Sequence, residues 1–212
     1  MGFSQTINTI RLDMKRFQYR LGQHWLPIWI FHAGFQAVLA YRIGHWIDFR
    51  RNMNNPLMWL LIPFLLIYER WTEITTGIYI HPHAQIGHSL YIPHFGGIVI
   101  GEAVIIGDYC DIYQGVTLGY GGMGDTGGYP TVADRVFLGA GAKILGQIHI
   151  DQDVIVGANA VVLKDIPARA IVGGSPAKVL SYKGSFLYIL YNDMETDDNR
   201  LASLALVDDA SS

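Results

Sequence analysis

An aliphatic residue returns at every sixth position through the middle of the chain: Ile80, Ile86 and Ile92, then Ile100, Ile106, Ile112 and Leu118, then Val132, Leu138, Ile144, Ile150, Val156 and Val162. A second apolar or small residue often precedes the marker by two, as at Ile98, Val104, Cys110 and Val116. This is the alternation of a short strand with both residues facing inward. Glycine commonly follows the marker, at Gly87, Gly101, Gly107, Gly119, Gly139 and Gly157, where the lack of a Cβ suits a corner. Self-similarity at so short a fixed period predicts a parallel β-helix over residues 78–182.

The register slips twice. Ile92 to Ile100 is a step of eight, so two extra residues are taken up around Pro93-His94-Phe95-Gly96-Gly97. Leu118 to Val132 is a step of fourteen, and residues 119–130 hold six glycines, which predicts a loop leaving the coil. Two interruptions in a regular repeat mark places kept for use.

Ahead of the repeats, residues 1–77 gather the longest apolar runs, 25–31 and 56–68, and are predicted to be helical. Neither run reaches the roughly 20 residues of a membrane span, and Pro27, Pro56 and Pro63 interrupt or bound them. Charge sharpens the picture, because this region carries eight Lys and Arg against four Asp and Glu, a balance of +4 in a chain of net charge −3. A basic, tryptophan-rich region fits an anchor on an anionic membrane surface. It equally fits a helical cap buried against the coil or against sister subunits. The first twenty residues carry Arg11, Asp13, Lys15, Arg16 and Arg20 and no continuous apolar core, which excludes a signal peptide and predicts a cytoplasmic protein, peripheral on the inner face of the cell membrane. The single cysteine, Cys110, falls on an inward repeat position and is expected to be a core residue with no redox role. In residues 183–212, the aromatic run 185–191 is expected to cover the open end of the coil, and the acidic remainder to be mobile. Nucleic acid is not an expected partner, because the one basic region is also the most hydrophobic.

The motifs Ile80-His81-Pro82, Ile86-Gly87, His94, Ile98-Val99-Ile100-Gly101-Glu102, Tyr113-Gln114-Gly115-Val116-Thr117-Leu118-Gly119, Gly139-Ala140-Gly141-Ala142-Lys143-Ile144-Leu145-Gly146 and Gly157-Ala158-Asn159-Ala160-Val161-Val162-Leu163 together resemble the serine O-acetyltransferase branch of the hexapeptide-repeat acyltransferases. The resemblance covers about half the chain. It implies a mainly β fold, a left-handed parallel β-helix behind an N-terminal α-helical region, assembled as a homotrimer with acetyl-CoA in grooves between subunits. The hand comes from the resemblance alone, since the usual crossover rule favours the other.

Acyl transfer to a hydroxyl needs a base that is neutral near pH 7. The resemblance places His94 in that role, with backbone amides stabilising the oxyanion, and the glycines from Gly119 to Gly122, Gly121 among them, are candidate donors because chain without side chains can bring its amides close to a ligand. Small residues at Ala140, Ala142 and Ala158 would let the pantetheine arm of acetyl-CoA lie along the backbone, and Lys164 and Lys178 are candidates to meet its phosphates. The acceptor side departs from the pattern. Tyr79 stands where the family has the acid that orients the histidine, Pro93 replaces an acidic neighbour, and Tyr129 replaces a histidine of the glycine-rich loop that helps hold serine. Glu102 or His81 is a candidate to orient His94 instead.

A similar pattern behind a hydrophobic, basic N-terminal region occurs in exopolysaccharide acetyltransferases of the colanic acid type. The resulting expectation is an acetyl-CoA-dependent O-acetyltransferase acting on a sugar hydroxyl of a glycan or lipid-linked glycan in bacterial exopolysaccharide or capsule synthesis. A serine O-acetyltransferase of cysteine biosynthesis is the alternative, and a non-catalytic trimeric scaffold a further one. No metal is expected, because the histidines at 81, 83, 88 and 94 do not recur at the roughly eighteen-residue interval that would stack three of them.

Overall fold

The computed structural model describes residues 2–51, 56–122 and 127–209. Four helices come first: α1 (Phe3–Leu21), α2 (Trp25–Phe31), α3 (Ala33–Arg51) and α4 (Pro56–Thr76). Short strands then follow one another around three sheets. Face A holds β1 (Ile78–Ile80), β3 (Ile98–Ile100), β6 (Thr117–Gly119), β9 (Lys143–Leu145) and β12 (Val161–Val162). Face B holds β2 (Gln85–Ile86), β4 (Ile105–Ile106), β7 (Thr131–Val132) and β10 (His149–Ile150). Face C holds β5 (Asp111–Ile112), β8 (Phe137–Leu138), β11 (Ile155–Val156), β13 (Ile171–Gly173) and β14 (Lys178–Ser181), with β14 antiparallel to β13 and the other pairings parallel. The chain visits A, B and C in rotation, so like residues stack: Ile100 pairs with Leu118 and Ile144 with Val162, eighteen residues on in each case.

The predicted markers fill the interior. Ile100, Ile112, Leu118, Leu138, Ile144 and Val156 are fully buried along one continuous core. Cys110 lies in it too, with burial pushing its thiol up to about 12, which keeps it an unreactive thiol. The rotation also explains a slip that the six-residue count missed. Ile166 takes the face B position beside Ile150, and Val156 pairs with Val172 only sixteen residues on.

The glycines after the markers serve close stacking rather than left-handed backbone. A Cβ on Gly107 would stand 2.8 Å from the Ala133 carbonyl carbon of the next coil. Positive φ falls elsewhere, on Ser89, Tyr109, Arg135, Asp153 and Arg169 along the edge between faces B and C, and on Gly97, Gly115, Gly141 and Asn159 along the edge between C and A.

Two flanking regions differ from expectation. The aromatic run at 185–191 does not close the end of the coil but runs back down the B–C edge. The Gly184 N–H donates to Arg169 O, the Ser185 hydroxyl to Arg135 O at 2.6 Å, and Tyr191 stacks on Tyr109 at 4.0 Å. The acidic tail contains a docked helix, α5 (Asp198–Asp209), in which Arg200 donates to the Phe186 and Ile189 carbonyls and Ser203 to Asp153. The mobility expected of it ignored these two polar anchors.

The helical region packs on the first coil. Ala37, Val38 and Tyr41 of α3 join the coil's core, and the Tyr41 hydroxyl donates to Ala84 O at 2.7 Å. Two buried ion pairs fix α1. Asp13 meets Arg42 at 2.9 Å and accepts the Leu90 N–H, while Arg42 also donates to the Ile86 and Gly87 carbonyls. Arg16 meets Asp111 at 2.6 Å. The other side of the region is bare, with Trp25, Trp29, Phe31, Ile67 and Trp71 exposed. No described helix is long and apolar enough to cross a membrane.

Asp111 is fully buried and its Oδ2 has no hydrogen-bond partner, so burial pushes its carboxyl up to about 6 against the pull of Arg16 and Arg20. A carboxyl raised above its unfolded value of about 3.9 contributes stability that is complete below that value and is lost as pH rises through about 6. In urea unfolding, the stability of the wild type relative to Asp111→Asn is therefore expected to fall by on the order of 2–3 kcal/mol from about pH 4 to pH 7. A difference that does not change with pH would show that burial does not govern this carboxyl. Asp13→Ala, which strands Arg42, is expected to cost about 3–5 kcal/mol.

Candidate active site

The first interruption lies on the C–A edge, and its conformation is held from both sides. The Gly96 N–H donates to Thr76 O at the end of α4 at 2.8 Å, and Gly96 O accepts the Gly115 N–H of the next coil at 2.9 Å. Gly96 and Gly97 both have positive φ, so the two extra residues form a bend that presents His94 and Phe95 outward, both exposed. The His94 ring meets Tyr113 edge-on at 5.7 Å, and Phe137 and Tyr188 continue an aromatic ladder up the same side of the coil.

The C–A edge above His94 is stripped of bulk. Gly141 N–H donates to Gln114 O and Asn159 N–H to Ala140 O, each at 2.8 Å. A Cβ on Gly115 would sit 3.3 Å from the Gly141 Cα. Ala140 and Ala158 lie on this edge with His94. Ala142 is different, because its methyl group is fully buried and its N–H and C=O are bonded to Gly139 and Thr117, so it belongs to the core. Lys143, which the sequence reading passed over, braces the edge from face A, its Nζ donating to Gly115 O at 2.6 Å and to Thr117 Oγ1 at 3.0 Å.

The remaining candidates lie on the opposite edge of face A, between A and B. Here His81 and Glu102 sit at the first two corners and Lys164 at the last, and the glycine-rich excursion leaves the coil at the corner after Glu102. Gly121 and Gly128 pair across its base, and the Tyr129 ring lies against Gly101 and edge-on to Tyr120 at 5.5 Å. Residues 123–126 of the excursion lie outside the described residues. Glu102 hydrogen-bonds His83 at 3.1 Å, and His81 Nδ1 accepts the His83 N–H, so neither candidate orienter of His94 is bonded to it. The reason is topological, since His94 precedes face A and both candidates follow it. Lys178 is exposed on β14, the last strand.

The residue near His94 that the sequence reading missed is His32, at the break between α2 and α3. Its Nδ1 accepts the Phe35 N–H at 3.4 Å and its ring packs edge-on to Phe17 at 4.9 Å. Burial, with the charge of the neighbouring His94 second, lowers its pKa below the ordinary histidine value. A lone histidine in an apolar run gives no sequence signal for this, because α3 docking brings it there. Taken together, the edge offers an exposed imidazole, a polar neutral neighbour and a smooth backbone track, which suits proton transfer beside an extended ligand.

Gly141→Ala tests whether the track depends on its geometry. At a φ of +75° the substitution is expected to cost about 1–3 kcal/mol in urea unfolding, whereas Ala158→Ser on the same edge should cost little.

No family model matches the chain. Among curated proteins, the serine acetyltransferase of Helicobacter pylori is 42% identical over 155 residues, 72% of this chain and 84% of its own length. That of Staphylococcus xylosus is 48% identical over 153 residues, 72% and 67%. That of Synechococcus elongatus is 42% identical over 159 residues, 75% and 62%, so the chain spans only about three fifths of some of these relatives. Among solved structures, a serine acetyltransferase in complex with cysteine has a TM-score of 0.73 at 32% identity, covering 84% of this chain and 71% of its own. The Neisseria gonorrhoeae serine acetyltransferase in complex with serine has a TM-score of 0.71 at 30% identity, covering 84% and 70%, and one in complex with CoA has 0.70 at 32%, covering 84% and 71%. These matches overturn the expected sugar acceptor, since the relatives are named for serine, and they give no support to a membrane role.

Proposed function

The chain belongs to the serine acetyltransferase family, and we propose that it transfers the acetyl group of acetyl-CoA to the hydroxyl of serine. The observation that carries the reading is the C–A edge itself, where His94 shares one side of the coil with the bare backbone at Ala140, Gly141 and Ala158. In this reading His94 takes the serine hydroxyl proton as the oxygen attacks the thioester carbonyl, and returns it to the departing CoA thiolate. Tyr113, edge-on to the ring, supports it in place of the acid that Tyr79 replaces, and His32 lies nearby.

We read the coil as a left-handed β-helix, on the strength of the resemblance, and the assembly as a homotrimer. In that arrangement the C–A edge of one protomer would face the A–B edge of the next. That would supply His94 with the glycine-rich excursion, Tyr129 and Lys164 from a sister chain and form the donor groove between them. Lys178 remains a candidate for the CoA phosphates.

The test is thiol release from acetyl-CoA with L-serine as acceptor. His94→Ala is expected to lower kcat/KM by about 10²–10⁴, and Tyr79→Asp, which restores the carboxylate the family carries at this position, to raise kcat. Binding of acetyl-CoA without release of thiol in the presence of serine would sink the reading.

A further inference from the structure

On the A–B edge, on the opposite side of face A from the same chain's His94, stands a cluster to which the proposed proton transfer assigns no role. His83 lies between two carboxylates, with Nε2 2.8 Å from Asp48 Oδ2 of α3 and Nδ1 3.1 Å from Glu102 Oε1 on the corner one coil up. A neutral imidazole has one N–H and one lone pair. In the neutral ring one of these contacts therefore sets a lone pair against an anion, which either a second ring proton or a bound cation relieves. His81 closes a third side, its ring centroid 5.0 Å from that of His83. One ligand atom from each of His81, His83 and Glu102 lies within 4.8 Å of the others.

We propose that His81, His83 and Glu102 bind a divalent transition-metal ion of the zinc class, with Asp48 orienting His83 from behind. Zinc bonds of about 2.0–2.2 Å in a tetrahedron put ligand atoms roughly 3.3–3.6 Å apart. The Nδ1 to Oε1 separation is already of that order, and the exposed side chains of His83 and Glu102 can close the rest by rotamer adjustment. With the metal on Nδ1, the His83 Nε2–H points at Asp48, which is the carboxylate–histidine–metal arrangement that fixes a ligand ring. Two imidazoles and one carboxylate favour Zn²⁺, Co²⁺ or Ni²⁺ over Mg²⁺ or Ca²⁺. Solvent takes the fourth position.

Coordination through His81 exchanges the bond its Nδ1 now accepts from the His83 N–H. In return the ion joins two coils directly and α3 through Asp48, so it clamps the helical region onto the coil, and binding to the folded state raises thermal stability. The spacing of the histidines alone does not mark this cluster, because its third member is a carboxylate from the next coil.

Full-length protein freed of metal by chelation and dialysis is titrated calorimetrically with ZnCl₂, and in parallel with CoCl₂ to read tetrahedral coordination from its visible spectrum. One ion per chain is expected, with a raised Tm. Glu102→Gln, an isosteric change at an exposed side chain that leaves folding intact, and His83→Ala should each weaken binding at least about tenfold, and Asp48→Asn by about 10–100-fold. His149→Ala, at an exposed histidine on face B, should bind as the wild type does. Absence of saturable binding would overturn the proposal. Wild-type affinity in Glu102→Gln would equally overturn it, by placing the ion elsewhere.

Discussion

The structure depends on how closely its coils stack. Parallel strands on three faces pair residue for residue with the coil above, and at the corners the backbones come so near that a Cβ on Gly107 or Gly139 would meet main-chain atoms 2.7–2.8 Å away. This spacing makes the interior a column of aliphatic side chains with no room for polar groups. It also dictates where extra chain can go. An insertion within a strand would put every later inward residue out of phase, so both insertions leave at corners, on the two edges that bound face A.

That constraint is why so much was legible in the sequence. A closed three-sided coil demands an inward residue every sixth position, so Ile80 through Val162 announced themselves, and the breaks at His94 and after Leu118 stood out against them. What the period does not carry is anything fixed by docking. The run at 185–191 reads as apolar and aromatic, but nothing in it says that Ser185 will bond Arg135 on the B–C edge instead of closing the end. Arg200 and Ser203 look unremarkable in an acidic tail until their partners on the 185–191 run and on the coil are seen. His32 is invisible for the same reason.

The candidate site shows both sides of this. His94 stands out because it interrupts the repeat, and Ala140 and Ala158 because of the motifs they share with the family. Glu102 and His81 were matched to His94 by chemistry alone. Following the rotation of the faces separates them, since His94 enters face A and the other two leave it. The same count explains why one chain presents its proposed donor track on one edge and its glycine-rich excursion on the other, a division that the proposed trimer would resolve by making each groove from two chains.

The position of the proposed base is set from outside the repeat. His94 sits on a bend whose Gly96 is bonded both to Thr76 at the end of α4 and to Gly115 of the next coil, and His32 beside it is carried by the α2–α3 junction. The helices are in turn locked by Arg42 on Asp13 and Arg16 on Asp111, pairs whose desolvation makes them costly to form and more costly to break. Apolar packing alone would hold α1 and α3 against the coil while tolerating small slides. Buried charges that bond specific carbonyls, Arg42 to Ile86 and Gly87 above all, admit one position only. The physical return on burying them is register, and through it the placement of one imidazole against the smooth edge of the coil.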